Sequence, residues 1–151
     1  MKAVVEYTDE KYIKKLTSTD KFSAIEELAR VFEGTPVCTD VEVLTAALKD
    51  RERIMSTGIG FGIAIPHAKI EEVKSIAFAI GVSAKGIDFD SMDGKPVHLI
   101  ILVAAGDRQH KDYLAVLSNI MALLKDDNVK ESIIKAENAG GVMALIRQHS
   151  K

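Results

Sequence analysis

Val97–Ala105 reads VHLIILVAA, a run in which His98 is the one polar residue. A short, continuous apolar stretch bounded by turn-forming residues predicts a strand covered on both faces by helices, the usual state of a sheet's centre. The segment before it supports that reading. Over residues 76–82, Ile76, Phe78, Ile80 and Val82 fall on one face, while Ala77, Ala79 and Gly81 fall on the other and admit close packing. Gly86 is expected to break this second strand, residues 87–90 to form a short further one, and Asp93-Gly94 to turn the chain into Pro96.

Helical patterns surround these strands. Phe22, Ile25, Leu28, Ala29 and Phe32 recur at helical spacing, with Asp20 placed as N-cap and Gly34 as a stop. Thr39 and Glu42 have capping-box spacing ahead of a second helix, in which Val43, Leu44, Ala47 and Leu48 form the stripe leading to Arg51. After the central run, Asp107 is the expected cap of a helix that buries His110, Leu114, Leu117, Met121 and Leu124. Two shorter helices are predicted over residues 128–136 and 138–149, and the first dozen residues read as a short strand or an extended lead-in. Helices before, between and after strands imply a layered α/β fold, with residues 1–151 expected to form one domain.

Composition narrows the function classes. The 151 residues are 47% apolar, enough for one substantial core. The formal charge of -2, from 20 basic and 22 acidic residues with no basic block, argues against an electrostatic grip on nucleic acid or anionic lipid. A single cysteine, Cys38, excludes an internal disulfide and suits a reducing compartment. Charges through the first dozen residues interrupt any apolar run that could serve as a signal or span, so a cytoplasmic protein without membrane insertion is expected.

Upstream of the two strands, residues 58–69 read GIGFGIAIPHAK. Phe61, Ile63 and Ile65 alternate with Gly62 and Ala64, and Pro66 has no N–H to continue a ladder, so a strand is expected to end there and present His67 among small residues. An imidazole of ordinary pKa is mostly neutral near pH ~7, and its free ring nitrogen is a nucleophile without the help of a base. Phosphoryl transfer needs such a group, held in position, with donors for the charge on the equatorial oxygens. Candidate donors are His110 at the start of a helix, the Arg51 guanidinium, and the hydroxyls of Ser56 and Thr57. Each has an ordinary reading too: a packed histidine, an exposed charged turn at Arg51, Glu52 and Arg53. His98 reads as packing and His149 as solvated.

The stretch GIGFGIAIPHAK, preceded by Arg51, Glu52, Ser56, Thr57 and Gly58, resembles the phosphohistidine signature of the fructose/mannitol-type enzyme IIA domains of the bacterial phosphoenolpyruvate-dependent sugar phosphotransferase system. The resemblance extends through GIDFDSMDGKPVHLIILVAA to the helix opening with His110. It implies a mixed, mainly five-stranded sheet sandwiched between helices. It also implies that His67 accepts phosphate from the phosphocarrier protein HPr and passes it to a IIB domain on a separate chain, serving a membrane permease indirectly. His110 matches the second active-site histidine of the family, and Arg51 the arginine placed near the phosphoryl group. No cofactor and no metal is implied. A rim of Phe61, Ile59 and Ile70 is the expected docking surface for HPr.

Two other classes compete. A nitrogen-type regulatory IIA protein would use the same phosphohistidine to control protein binding. A metal-dependent hydrolase built on His67 and His110 lacks an HExxH motif and a third ligand at recognisable spacing. GIGFG also lacks the GK[ST] ending of a P-loop, which argues against direct use of ATP.

Overall fold

The two faces of residues 76–82 meet two different sets of helices. A computed structural model describes residues 3–150. After two short 3-10 turns, the chain forms β1 (Ile13–Lys15), α1 (Lys21–Ala29), α2 (Val41–Ile54), β2 (Gly58–Gly60), β3 (Ile63–Ala64), β4 (His67–Lys69), β5 (Ala77–Ile87), β6 (Val97–Ala105), α3 (His110–Leu124), α4 (Asp127–Lys135) and α5 (Ala139–His149). The sheet is mixed, in the order β1-β5-β6-β3-β2, with β4 also paired to β6. It has six strands where five were expected, because the stretch around Pro66 is divided.

VHLIILVAA is the centre, as its composition requires. It runs antiparallel to β5 on one side and parallel to β3 and β4 on the other. Ala77 and Ala79 pack with Ile100, Leu102 and Ala104 under α1 and α2, through Ile25, Leu28, Leu44 and Leu48. Phe78, Ile80 and Val82 pack with Leu99, Ile101 and Val103 under α3, α4 and α5. The result is an α/β/α sandwich. Gly81 lies on the small-residue face for a steric reason: a Cβ there would meet Leu16 Cδ1 at 2.8 Å. Among the described residues, no helix is long and apolar enough to cross a membrane.

Several local expectations change. The segment before Pro66 is a hairpin and not one strand, because Phe61 and Gly62 take positive φ angles of 60° and 76° and turn β2 back along β3. A left-handed phenylalanine is unfavourable by about 1–2 kcal/mol, and it is held from both sides. Asp93 Oδ2 accepts from its N–H at 3.0 Å, and the Lys130 ammonium donates to its carbonyl at 2.8 Å. Gly86 bends β5 as a bulge (φ 86°) without ending it, so Ile87 closes the same strand. Asp40 caps α2 in place of Thr39, whose hydroxyl donates to the Glu72 carbonyl. No side chain caps α3, whose N-cap is Gln109, so Asp107 does not serve. The buried face of α3 is Tyr113, Val116, Ile120 and Leu124, leaving His110, Leu114 and Met121 exposed. This helix is apolar most of the way round, so periodicity allows two registers and the sheet selects one.

Glu27 on α1 gathers the loop after β1. Its carboxylate accepts from the N–H groups of Thr17 at 3.1 Å and Ser18 at 2.9 Å, and pairs with Lys14 Nζ at 3.0 Å. Burial pushes this carboxyl up, but the hydrogen bonds from Ser18, Lys14 and Thr17 outweigh it and hold the group down at about 2. A carboxyl depressed in the folded state stabilises fully above its unfolded value and ceases to as pH falls through the folded one. Glu27→Gln is therefore expected to cost about 2 kcal/mol at neutral pH, the scale of hydrogen bonds to a charged group. Denaturant melts should show the gap between variant and wild type closing as pH falls from 4.5 toward 2.

Candidate functional site

β3 and β4 occupy one lane beside β6, interrupted at Ile65 and Pro66. Proline gives no N–H to the ladder, yet its carbonyl still accepts from the Val103 N–H at 2.9 Å and pairing resumes at His67. His67 thus begins a strand and does not follow the end of one. No described strand lies beyond β4. A buried carbonyl outside the ladder needs a donor, and for Ile65 the donor is the His67 ring, whose Nδ1 lies 2.8 Å from the oxygen. A carbonyl oxygen only accepts, so Nδ1 carries the hydrogen and Nε2 keeps its lone pair.

The half-buried His67 lines a shallow depression of 240 Å³ with Ala47, Arg51, Ala68, Lys69, Ile70 and Tyr113. Arg51 enters from the last turn of α2, where one guanidinium N–H donates to the Met55 carbonyl at 2.8 Å and leaves other donors of the planar fork free. Tyr113 enters from α3, with its ring 6.0 Å from that of His67 and 6.5 Å from that of His110. Burial pushes the Tyr113 hydroxyl up to about 12, against the opposing charge of Arg51, so the phenol keeps its proton at neutral pH. None of the lining residues is acidic, and two are cationic.

Lys69, missed in the sequence reading, completes the group. Residues two apart on a strand share a face, so His67 places Lys69 beside itself. The Lys69 ammonium lies 2.7 Å from His110 Nδ1 and 6.0 Å from the Tyr113 ring centre. An ammonium has no lone pair, so His110 Nδ1 is the acceptor and His110 Nε2 bears the hydrogen. The two imidazoles are therefore in opposite tautomers: His67 offers a lone pair at Nε2, and His110 offers a donor there. The i, i+2 spacing after His67 was the signal that could have found Lys69.

The structure does not bring Ser56 and Thr57 to the depression. The Ser56 hydroxyl donates to the Phe89 carbonyl, and the buried Thr57 hydroxyl donates to Glu52 Oε1 at 2.6 Å. Both stand just ahead of the hairpin, but their hydroxyls point into the fold. The expected docking rim divides as well: Ile70 lines the depression, whereas Ile59 and Phe61 line a separate apolar groove with Met121 and Leu124. His98 donates from Nδ1 to the Ser83 carbonyl at 2.8 Å, and His149 is exposed, in keeping with their ordinary readings. Among the described residues, no three or more His, Cys, Asp or Glu side chains are grouped to hold a metal ion.

A nucleophile, nearby cations and an open, shallow approach suit transfer between two macromolecules more than enclosure of a small substrate. A fructose-specific EIIABC component of the phosphotransferase system from Bacillus subtilis is 35% identical over 136 residues, covering 90% of this chain. This chain spans 21% of that protein's length. A fructose-specific EIIA component from Haloferax volcanii is 35% identical over 85% of this chain and 83% of its own. The crystal structure of the nitrogen regulatory protein IIA-Ntr from Neisseria meningitidis superposes with a TM-score of 0.87 at 27% identity, covering 95% of this chain and 98% of that one. The family described as "Phosphoenolpyruvate-dependent sugar phosphotransferase system, EIIA 2" matches residues 6–149, and the chain belongs to it.

Proposed function

We propose that this protein is a phosphohistidine carrier that accepts a phosphoryl group from HPr on His67 Nε2 and passes it to a IIB component for uptake of a fructose- or mannitol-class sugar. One observation carries the reading: the Ile65 carbonyl holds the hydrogen on Nδ1, which leaves the Nε2 lone pair free in a site lined by two cations. In the accepting step, that lone pair forms a bond to phosphorus as the donor's bond to phosphorus breaks and its electrons return to the donor. The hydrogen stays on Nδ1 throughout, donated to the Ile65 carbonyl. His110 Nε2–H, Arg51 and Lys69 donate to the phosphoryl oxygens, with no cofactor and no metal in the step.

The names of the two fructose-specific relatives support the sugar class, and the joined components of the B. subtilis protein support a IIB acceptor. Ile54 and Met55, 81% and 68% exposed, stand at the end of α2 just beyond Arg51 and offer apolar surface for docking such partners. The relay acts in the cytoplasm, a compartment that suits the free, buried Cys38.

The likeness to the Neisseria protein favours a second reading, in which the same phosphohistidine governs binding to regulatory targets. Labelling with phosphoenolpyruvate, enzyme I and HPr, followed by addition of candidate IIB domains, separates them. Transport predicts that one IIB domain strips the label within seconds. Label that every IIB domain leaves in place favours regulation, and absence of label contradicts both.

A further inference from the structure

Arg51 and Glu52 are neighbours on the last turn of α2, and a helix turns about 100° between successive residues. The first therefore lines the depression while the second points into the core, where the Glu52 side chain is fully buried. A buried carboxylate needs donors and a counter-charge, and it has two hydrogen bonds and one ion-pair partner. The Thr57 N–H donates to Oε2 at 2.8 Å, the Thr57 hydroxyl to Oε1 at 2.6 Å, and the Lys21 ammonium lies 3.6 Å from Oε2. A buried ion pair returns little net stability compared with apolar side chains of the same volume. What this one supplies is direction.

With its N–H and hydroxyl both fixed, Thr57 aims its carbonyl at the Ile65 N–H, 3.0 Å away. Ile65 in turn aims its own carbonyl at His67 Nδ1, 2.8 Å away. The Ile65 peptide lies in the gap between two strand fragments, so its orientation depends on this clasp more than on a continuous ladder. We propose that Glu52 is a positioning residue for His67, acting through Thr57 and the Ile65 carbonyl to hold the imidazole hydrogen on Nδ1 and the Nε2 lone pair toward the depression. The effect on rate rests on the relay reading; the effect on the tautomer does not.

Long-range proton–nitrogen correlation spectra of the ¹⁵N-labelled protein, at a pH where the ring is neutral, report which nitrogen of His67 bears hydrogen. Wild type and Thr57→Ser, which keeps both donors, are expected to show Nδ1–H alone. Thr57→Val and Glu52→Gln are expected to add the other tautomer. Their maximal rate of acceptance from phospho-HPr should fall about tenfold or more with half-saturation unchanged, as for a misplaced reacting group. Folded variants with an unmoved tautomer and a rate within about twofold of wild type would overturn the proposal. So would wild type carrying the hydrogen on Nε2, a result that needs no variant to fold. A tautomer that shifts as described in a protein that HPr never phosphorylates would sink the relay reading and leave the positioning intact.

Discussion

A His67→Ala protein incubated with phosphoenolpyruvate, enzyme I and HPr is expected to carry no acid-labile phosphate. The side chain supplies the attacking atom, and no other group lining the depression pairs a free lone pair with this setting: Tyr113 keeps its proton, and Arg51 and Lys69 are donors. The loss should therefore be complete and not partial. The fold should survive, because only one hydrogen bond to the Ile65 carbonyl is lost while the backbone around it stays paired, Ile65 N–H to the Thr57 carbonyl and Val103 N–H to the Pro66 carbonyl. Thermal melts within a few degrees of wild type would show that chemistry and not folding has failed. Wild-type labelling of this variant would remove the main claim.

The second large effect is expected at His110. In His110→Ala, His67 and its carbonyl clamp are untouched, so the protein should still accept phosphate. Transfer onward to a IIB domain should slow by ~10²–10³-fold, about 3–4 kcal/mol, the range for removing a donor aimed at developing charge. Lys69 holds Nδ1 as an acceptor and leaves Nε2–H as the donor that the variant removes. Rapid-quench measurement of the transfer step is the check. Unchanged kinetics would mean that the His110–Lys69 contact is only a surface hydrogen bond.

The parts of this molecule that follow from periodicity were legible in the sequence. The central strand, the two faces of β5, the helix capped by Asp20 and the two C-terminal helices depend on local pattern and on the need to bury apolar residues. His67, His110 and Arg51 were legible as candidates from residue type and from the family signature, and the structure places them around Tyr113. What stayed hidden depends on direction. The turn at Phe61 requires a left-handed non-glycine residue secured by Asp93 and Lys130, which are distant in sequence. Thr57 stands close to the signature, but its hydroxyl is claimed by Glu52 from within the core. On α3, an apolar surface of more than one face concealed which register the sheet would take, and with it the exposure of His110.

The most direct test is the position of the phosphorus itself. Phosphorylated wild-type protein, labelled with ¹⁵N in its histidines, can be examined for phosphorus–nitrogen coupling at each ring nitrogen. A coupling at Nε2 of His67, with hydrogen retained at Nδ1, is the predicted result. Phosphorus on Nδ1 of that ring, or on His110, would contradict the account.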